Sequence, residues 1–341
     1  MHFYTYKAFD AFSDQRSQWN ALVNDSPSNN PFLSFEYQQS WWQTRGGGEW
    51  PQSSQLLLVA GFDDEKLVGI APLFLANNHL DKPSLLFVGA VEVSDFLDFI
   101  ARPEDLPEFI QGLMDFLKSD PSLPNWDCLD FHNILEESPS LEILKQQADQ
   151  RGWNHQQTLL QPAPYIPLPA DYDSYLASID KKQRHEIRRK LRNLTQSSHL
   201  EALEIVEDLH LLAEETQSFI NLMAQDPNKR DFLRAPMQQH LHNTAQVAFN
   251  AGWLQLAFLT LDGKKAAANM AFKYHDRLLL YNSGWEWAFR DFSPGWVLLA
   301  RLIQWSIEND VKEFDFMRGD ERYKYKFGAV DRHVFRVTLT P

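Results

Sequence analysis

One cysteine stands in 341 residues, so Cys128 excludes an internal disulfide, and no Cys/His cluster has the ligand spacing of a structural zinc site. Positive charge is scarce. Lys+Arg number 32 against 46 Asp+Glu, and the formal net charge of −14 excludes a general nucleic-acid coat while leaving room for a local basic patch. Long apolar runs are missing too: Leu254–Leu261 (LQLAFLTL) falls far short of the roughly 20 residues that span a bilayer. The opening MHFYTYKAFDAFSDQ lacks the basic start, apolar stretch and small-residue cleavage site of a secretory signal, so the expected location is the cytoplasm. There is no G-x-S-x-G elbow, G-x-G-x-x-G or P-loop, and the triple glycine Gly46–Gly48 is not followed by a helix carrying Lys-Ser/Thr. These absences set aside a nucleophile-elbow hydrolase, a dinucleotide site and a nucleoside triphosphatase.

What is there is a globular composition, 44% hydrophobic and 23% charged, with eleven tryptophans to pack cores. At about 150 residues per domain the length gives two domains. Pro31–Thr44 reads as a short aromatic helix, and Gln55–Ala60 with Leu67–Leu75 as a hairpin across the acidic turn Phe62–Lys66. A strand at Leu85–Val88, a helix at Pro103–Lys118, a strand at Trp126–Phe131 and a helix at Ser140–Arg151 follow. Gln161–Ala170 (QPAPYIPLPA) holds four prolines and cannot sustain a helix, which places the junction there, between domains 1–165 and 166–341. The second half opens with one long helix from about Tyr172 to Ser197. Helices near Asp208–Ala224 and Met237–Ala251, the hairpin Gln255–Leu261/Ala266–Tyr274, a strand Leu278–Ser283, a helix Pro294–Asn309 and a strand Glu313–Phe316 complete it.

Four features carry chemistry. In Tyr281–Trp296 a strand passes through a polar turn into an apolar helix, and a helix start offers unpaired N–H groups and partial positive charge to a phosphate. Ser293 and Gly295 flank that start, Pro294 suits its first position, and Arg290 lies three residues ahead of Ser293. In Phe314–Phe327 (FDFMRGDERYKYKF) a strand delivers Asp315 to a loop rich in charge and tyrosine, placed where open α/β sheets bind ligands. Lys181–Arg192 (KKQRHEIRRKLR) has seven basic residues in twelve beside an apolar stripe through Ile187, Leu191 and Leu194, a pattern suited to a phosphate-rich donor, tRNA or an anionic surface. Ser94–Asp98 (SDFLD) brings two carboxylates together; if it is extended, only one faces a cleft, and Asp95 is favoured.

The order of these blocks, from FLSFEYQQSWW and LVGIAPLFL through SDFLD and KKQRHEIRRKLRNL to SPG and FDFMRGDERYKYKFG, resembles the CelD-type branch of the GNAT acyltransferase superfamily, related to Fem-type peptidoglycan aminoacyltransferases. The resemblance covers most of the chain. GNAT enzymes bind the acyl-CoA pyrophosphate at a turn of pattern Arg/Gln-x-x-Gly-x-Gly/Ala, which Arg290-x-x-Ser293-x-Gly295 matches with Ser for the first Gly. It implies an α/β (α+β) fold made of a tandem pair of GNAT-like subdomains, mixed sheets flanked by helices. Residues 1–165 would form the acceptor side and 166–341 the acetyltransferase domain on the donor side, with the acceptor entering between the halves. The implied activity is N-acyl transfer from acyl-CoA, without a metal, to an amine of a sugar, amino-acid or cell-envelope precursor. On this resemblance Tyr281, Asn282, Ser283, Arg290, Ser293 and Gly295 hold the donor, and Asp315, Asp320, Glu321, Tyr323 and Lys324 are the catalytic candidates. Tyr323 is the acid, a carboxylate or water the base and Lys324 a charge neutraliser, while Trp41, Trp42 and Asp95 face the acceptor. Two other readings stay open: an aminoacyl-tRNA donor, supported by the basic helix, and a non-catalytic partner in polysaccharide assembly. DNA is not expected as a partner, nor a transmembrane segment.

Overall fold

The apolar runs of the first half pair as the hairpin their alternation predicts, with Gln55 opposite Leu75 and Asp63 opposite Lys66. The computed structural model describes residues 1–341 and divides into two units, Met1–Gln161 with His333–Pro341, and Pro162–Arg332. In the first unit, strands β1 (His2–Tyr6), β2 (Gln55–Asp63), β3 (Lys66–Asn77), β4 (Pro83–Phe87), β5 (Ile100–Ala101), β6 (Cys128–Leu135) and β7 (Asn154–Pro162) build a mixed sheet. Its order is β1-β2-β3-β4-β6, then the C-terminal strand His333–Thr340, then β7, with β5 on β3; β4 and β6 run parallel. Helices α1 (Arg16–Asp25), α2 (Phe35–Gly48), α3 (Leu106–Ser119) and α4 (Ser140–Arg151) flank it. The apolar residues of α3 recur at helical spacing, and Leu106, Phe109, Ile110, Leu113, Met114 and Leu117 are all buried.

The second unit comprises β8 (Tyr165–Pro167), α5 (Tyr172–Ser178), α6 (Lys181–Thr195), β9 (Glu201–Ile205), α7 (Leu209–Met223), α8 (Pro227–Arg230), α9 (Ala235–Asn250), β10 (Leu254–Leu261), β11 (Lys264–Tyr274), β12 (Arg277–Trp285), α10 (Pro294–Glu308), β13 (Glu313–Asp315) and α11 (Arg322–Lys326). Its six-stranded sheet has the order β8-β13-β12-β11-β10-β9, antiparallel except for β12 against β13. Val297, Leu298 and Ile303 of α10 pack with Leu278, Phe314, Phe316 and Phe327 in its core. No helix is long and apolar enough to cross a membrane.

Three local features stand apart from the sequence reading. The helix expected over 172–197 is two, because Ile179 is extended and Asp180 caps a new start, its carboxylate accepting from the N–H groups of Lys182 and Gln183. Ser94–Asp98 is irregular chain, so the condition of an extended segment is not met there, and β5 begins only at Ile100. The last strand, β14 (His333–Thr340), pairs with β6 in the first sheet, from Val334 opposite Leu135 to Leu339 opposite Leu129. Its alternation marks it as a strand, but its partner lies some 200 residues away and leaves no local signature.

Candidate active site

An irregularity in β12 opens the site. In its ladder with β11, Met270 faces Asn282 while Ala271 faces Leu280, so Tyr281 is the extra, bulged residue. Parallel pairing with β13 stops after Arg277–Leu279 against Glu313–Asp315, although β12 continues to Trp285. A cavity of about 210 Å³ lies there, lined by Leu280, Ser283, Gly284 and Trp285 of β12, Gly295, Trp296 and Leu299 of α10, and Asn269, Tyr323 and Phe327. Gly284 is required by packing: a Cβ there would lie 2.3 Å from the backbone nitrogen of Met223, at the end of α7. Lys229 of α8 holds the strand beyond the bulge by donating from Nζ to Asn282 Oδ1 at 2.8 Å and to the Ser283 carbonyl at 2.7 Å. Burial pulls its ammonium below the ordinary lysine value. The Tyr281 hydroxyl lies 3.5 Å from His240 Nε2, and burial pushes this imidazole down to about 4, so it is neutral at physiological pH.

The start of α10 forms the other wall. Ser293 adopts φ 52 and ψ 55, the left-handed conformation that glycine takes most easily, so the position has the backbone a first glycine would supply. Its carbonyl accepts from the N–H groups of Trp296 and Val297 at 3.0 and 3.1 Å, and Pro294 has no N–H to leave unpaired. Ser293 Oγ accepts from Lys190 Nζ at 2.8 Å, which brings the basic helix α6 to the helix start. Neither packing nor conformation demands glycine at 295, where an added Cβ would meet nothing nearer than Trp285 Cδ1 at 3.7 Å. The absence of a side chain there keeps backbone open to the cavity.

A second cavity, of about 640 Å³, adjoins this point. It is lined by Lys182, Gln183, His185, Glu186, Arg189 and Lys190 of α6, with Lys326 and Trp296, so four fixed cations face one carboxylate. Glu186 is engaged by Arg189 at 2.8 Å, which leaves the cationic excess standing. The ammonium groups of Lys190 and Lys326 lie 4.8 and 5.7 Å from the centroid of the Trp296 ring. Burial lowers Lys190 from its ordinary value, with Glu186 opposing. Trp296 lines both cavities, so an apolar slot and a cationic basin meet at one indole.

The expected residues fall into two groups. Ser283, Ser293, Gly295 and Tyr323 gather at the slot and the adjoining helix start. Tyr323 packs edge-on against Phe316 at 6.0 Å, and burial pushes its phenol well above the usual tyrosine value. Tyr281 and Asn282 lie outside the slot lining and shape the strand. Arg290 is 54% exposed, lies over the Trp287 ring and lines neither cavity. Asp315 is fully buried, ion-paired with Arg332 and accepting from the Met317 N–H at 2.7 Å, so its carboxylate has no face for a substrate. Lys324 is also buried: its Nζ donates to the carbonyls of Met317, Arg318 and Gly319 and pairs with Glu321 at 2.9 Å, which uses every ammonium donor on the loop. Asp320 and Glu321 are exposed, and no carboxylate lines the slot.

In the first unit Trp41 is fully buried against Phe74 at 5.5 Å, a core residue rather than an acceptor platform. Trp42 is half-buried beneath the Arg45 guanidinium, 3.5 Å from its ring, and Asp95 is half-buried in irregular chain. The residues that sequence reasoning missed are Trp296, Lys326 and Lys229. It counted Lys190 only as part of a basic face, since the signal joining it to Ser293 spans 103 residues.

Residues 181–325 match a family model described as an acetyltransferase (GNAT) domain. Among solved structures, FemX superposes with a TM-score of 0.68 at 12% identity, over 98% of this chain and 97% of that one. L-PGS from Bacillus licheniformis gives 0.57 at 10% identity over 94% and 90%. A tandem GNAT protein from the clavulanic acid biosynthesis pathway gives 0.51 at 11% identity over 98% of each chain. These likenesses show the fold, a tandem GNAT architecture with mixed sheets flanked by helices. A comparison with curated proteins gave no match.

Proposed function

We propose that the chain is a GNAT-type acyltransferase that takes its acyl group from acyl-CoA and delivers it to an amine of a sugar, amino-acid or cell-envelope precursor, as CelD-type proteins are expected to do. The observation that carries this reading is the junction at Trp296 of a narrow apolar slot with a cationic basin. Acyl-CoA has that division of chemistry, an uncharged pantetheine arm ending in a thioester and a phosphate-rich head. Lys190, Lys326 and the α10 start would take the phosphates, and the slot beside β12 the arm. The acceptor nitrogen attacks the thioester carbonyl, a C–N bond forms, and the C–S bond breaks. Tyr323, which lines the slot, gives its proton to the departing sulfur and regains one from the amine through solvent. With no carboxylate in the slot lining, the acceptor enters as the free amine.

A saturating acetyl-CoA titration should raise the melting temperature, since a ligand bound only by the folded chain stabilises it by about 2.7 kcal/mol at a hundredfold excess over Kd. Absence of a shift with every acyl-CoA would remove the donor assignment. Tyr323→Phe should lower kcat about a hundredfold with donor affinity unchanged. Equal loss in affinity would make Tyr323 a binding residue instead. A second reading, an aminoacyl-tRNA donor, is favoured by the size of the basin and by the further cations of α6; salt-sensitive binding of charged tRNA without an acyl-CoA shift would select it.

A further inference from the structure

We propose that Lys229 is a positioning residue for the donor: it ties down the free edge of β12, so that Ser283 and Gly284 present a fixed wall to the arm of acyl-CoA. This inference rests on the acyl-CoA reading and adds to it a residue that lines neither cavity.

The backbone of β12 shows why a tie is needed. In an antiparallel pair the N–H and C=O of one residue point to the same edge, and alternate residues point to opposite edges. The Glu286 N–H donates to the Ala266 carbonyl of β11 at 2.8 Å and Gly284 faces Ala268, so Gly284 is turned to β11 and Ser283, one position earlier, to the other edge. That edge has lost β13, whose pairing ends with Asp315 opposite Leu279. Two side chains stand in for the missing strand. Asn282 Oδ1 accepts from the Ser283 N–H at 3.0 Å, and Lys229 Nζ donates both to that oxygen at 2.8 Å and to the Ser283 carbonyl at 2.7 Å. One ammonium thus satisfies the carbonyl directly and holds Asn282 in the pose that satisfies the N–H.

Lys229 is itself anchored. Its N–H donates to the Asp226 carbonyl and its own carbonyl accepts from the Leu233 N–H, each at 3.0 Å, while the Asp226 carboxylate caps α8 by accepting from the Asn228 N–H at 2.9 Å. The ammonium is desolvated there, with Asp226 and Glu321 opposing the fall in its proton affinity, and the two acceptors it meets are neutral. A buried charge on neutral acceptors is a costly tie, and it is placed directly behind a residue that lines the slot. Lys229 therefore acts on the donor through Ser283.

The test titrates the full chain with acetyl-CoA and with 3′-phosphoadenosine 5′-diphosphate, the phosphate-rich head of the donor without its arm. Lys229→Met is expected to weaken acetyl-CoA about tenfold or more and to change binding of the head by less than about threefold, since the head meets the basin and not β12. A variant loosened as a whole would lose both ligands alike. Asn282→Ala added to Lys229→Met should cost less than Asn282→Ala alone, because the two side chains act as one. In the unaltered protein, ¹³C-lysine NMR should show the Lys229 resonance moved by acetyl-CoA and not by the head, so the test survives a variant that folds poorly. Equal loss of both ligands, full retention of acetyl-CoA, additive losses or a Lys229 resonance that acetyl-CoA leaves in place overturns the inference while the acyl-CoA reading stands. A parent chain that binds neither probe removes that reading, and the inference with it.

Discussion

A chain carrying Lys190→Ala and Lys326→Ala together is expected to bind acetyl-CoA about a hundredfold more weakly than the parent, with kcat at saturating donor changed by less than about threefold. Both ammonium groups lie over the Trp296 ring in a basin where four cations face one carboxylate. A hydrogen bond from a charged donor to a phosphate contributes about 1.5 kcal/mol, so two lost contacts sum to about 3 kcal/mol, the stated factor. Neither lysine lines the slot where the thioester would lie, which is why turnover of bound donor should survive. The parent's affinity should also fall with added salt more steeply than the variant's, because part of the screened attraction has been removed. Arg290→Ala is the informative comparison. The pattern Arg290-x-x-Ser293-x-Gly295 points to this arginine, yet it is exposed and lines neither cavity. Affinity lost through Arg290 but not through Lys190 and Lys326 would return the phosphates to the arginine.

What the sequence made legible was local. The Ser-Pro-Gly turn announced the start of α10, and the structure explains why serine stands where the pattern has glycine: Ser293 reaches the left-handed conformation and uses its hydroxyl to accept from Lys190. The density of cations in Lys181–Arg192 was equally plain, but not that it faces that turn, since the contact is made through tertiary packing of α6 on α10. For chemistry-bearing residue types, burial is what the sequence did not show. Asp315 and Lys324 read as catalytic from their place after a strand, yet one is closed off by Arg332 and the other by three loop carbonyls. Trp41 and Trp42 are adjacent in sequence and read alike, but successive helical positions point about 100° apart, and only Trp41 is fully inside. The Lys229 tie was invisible for a related reason: it joins α8 to β12 across 53 residues, and no short motif spans them.

Arg332→Met should destabilise the protein by about 3–5 kcal/mol at neutral pH, measured by chemical denaturation, because it strands a buried carboxylate. Asp315 has no exposure, and the same guanidinium also reaches Glu313 at 3.0 Å. Burial pushes the Asp315 carboxyl up to about 6, although the Arg332 charge pulls it down. The ordinary carboxyl value is about 4, so the folded chain holds this proton to higher pH than the unfolded one, and the stability carried by the neutral acid is complete below about pH 4. That contribution drains as pH rises through about 6 in the parent; removing Arg332 takes away the lowering influence and moves the folded value higher still. The deficit of Arg332→Met should therefore grow as pH rises through about 6 and shrink as pH falls below it, where Asp315 is neutral. Adding Asp315→Asn should recover much of the loss at neutral pH, since no charge then remains buried alone. Activity in that double variant separates the two roles open to Asp315. A base lost from the reaction would leave a folded, inactive chain, whereas an anchor beneath β13 predicts a folded chain whose kcat stays within about tenfold of the parent.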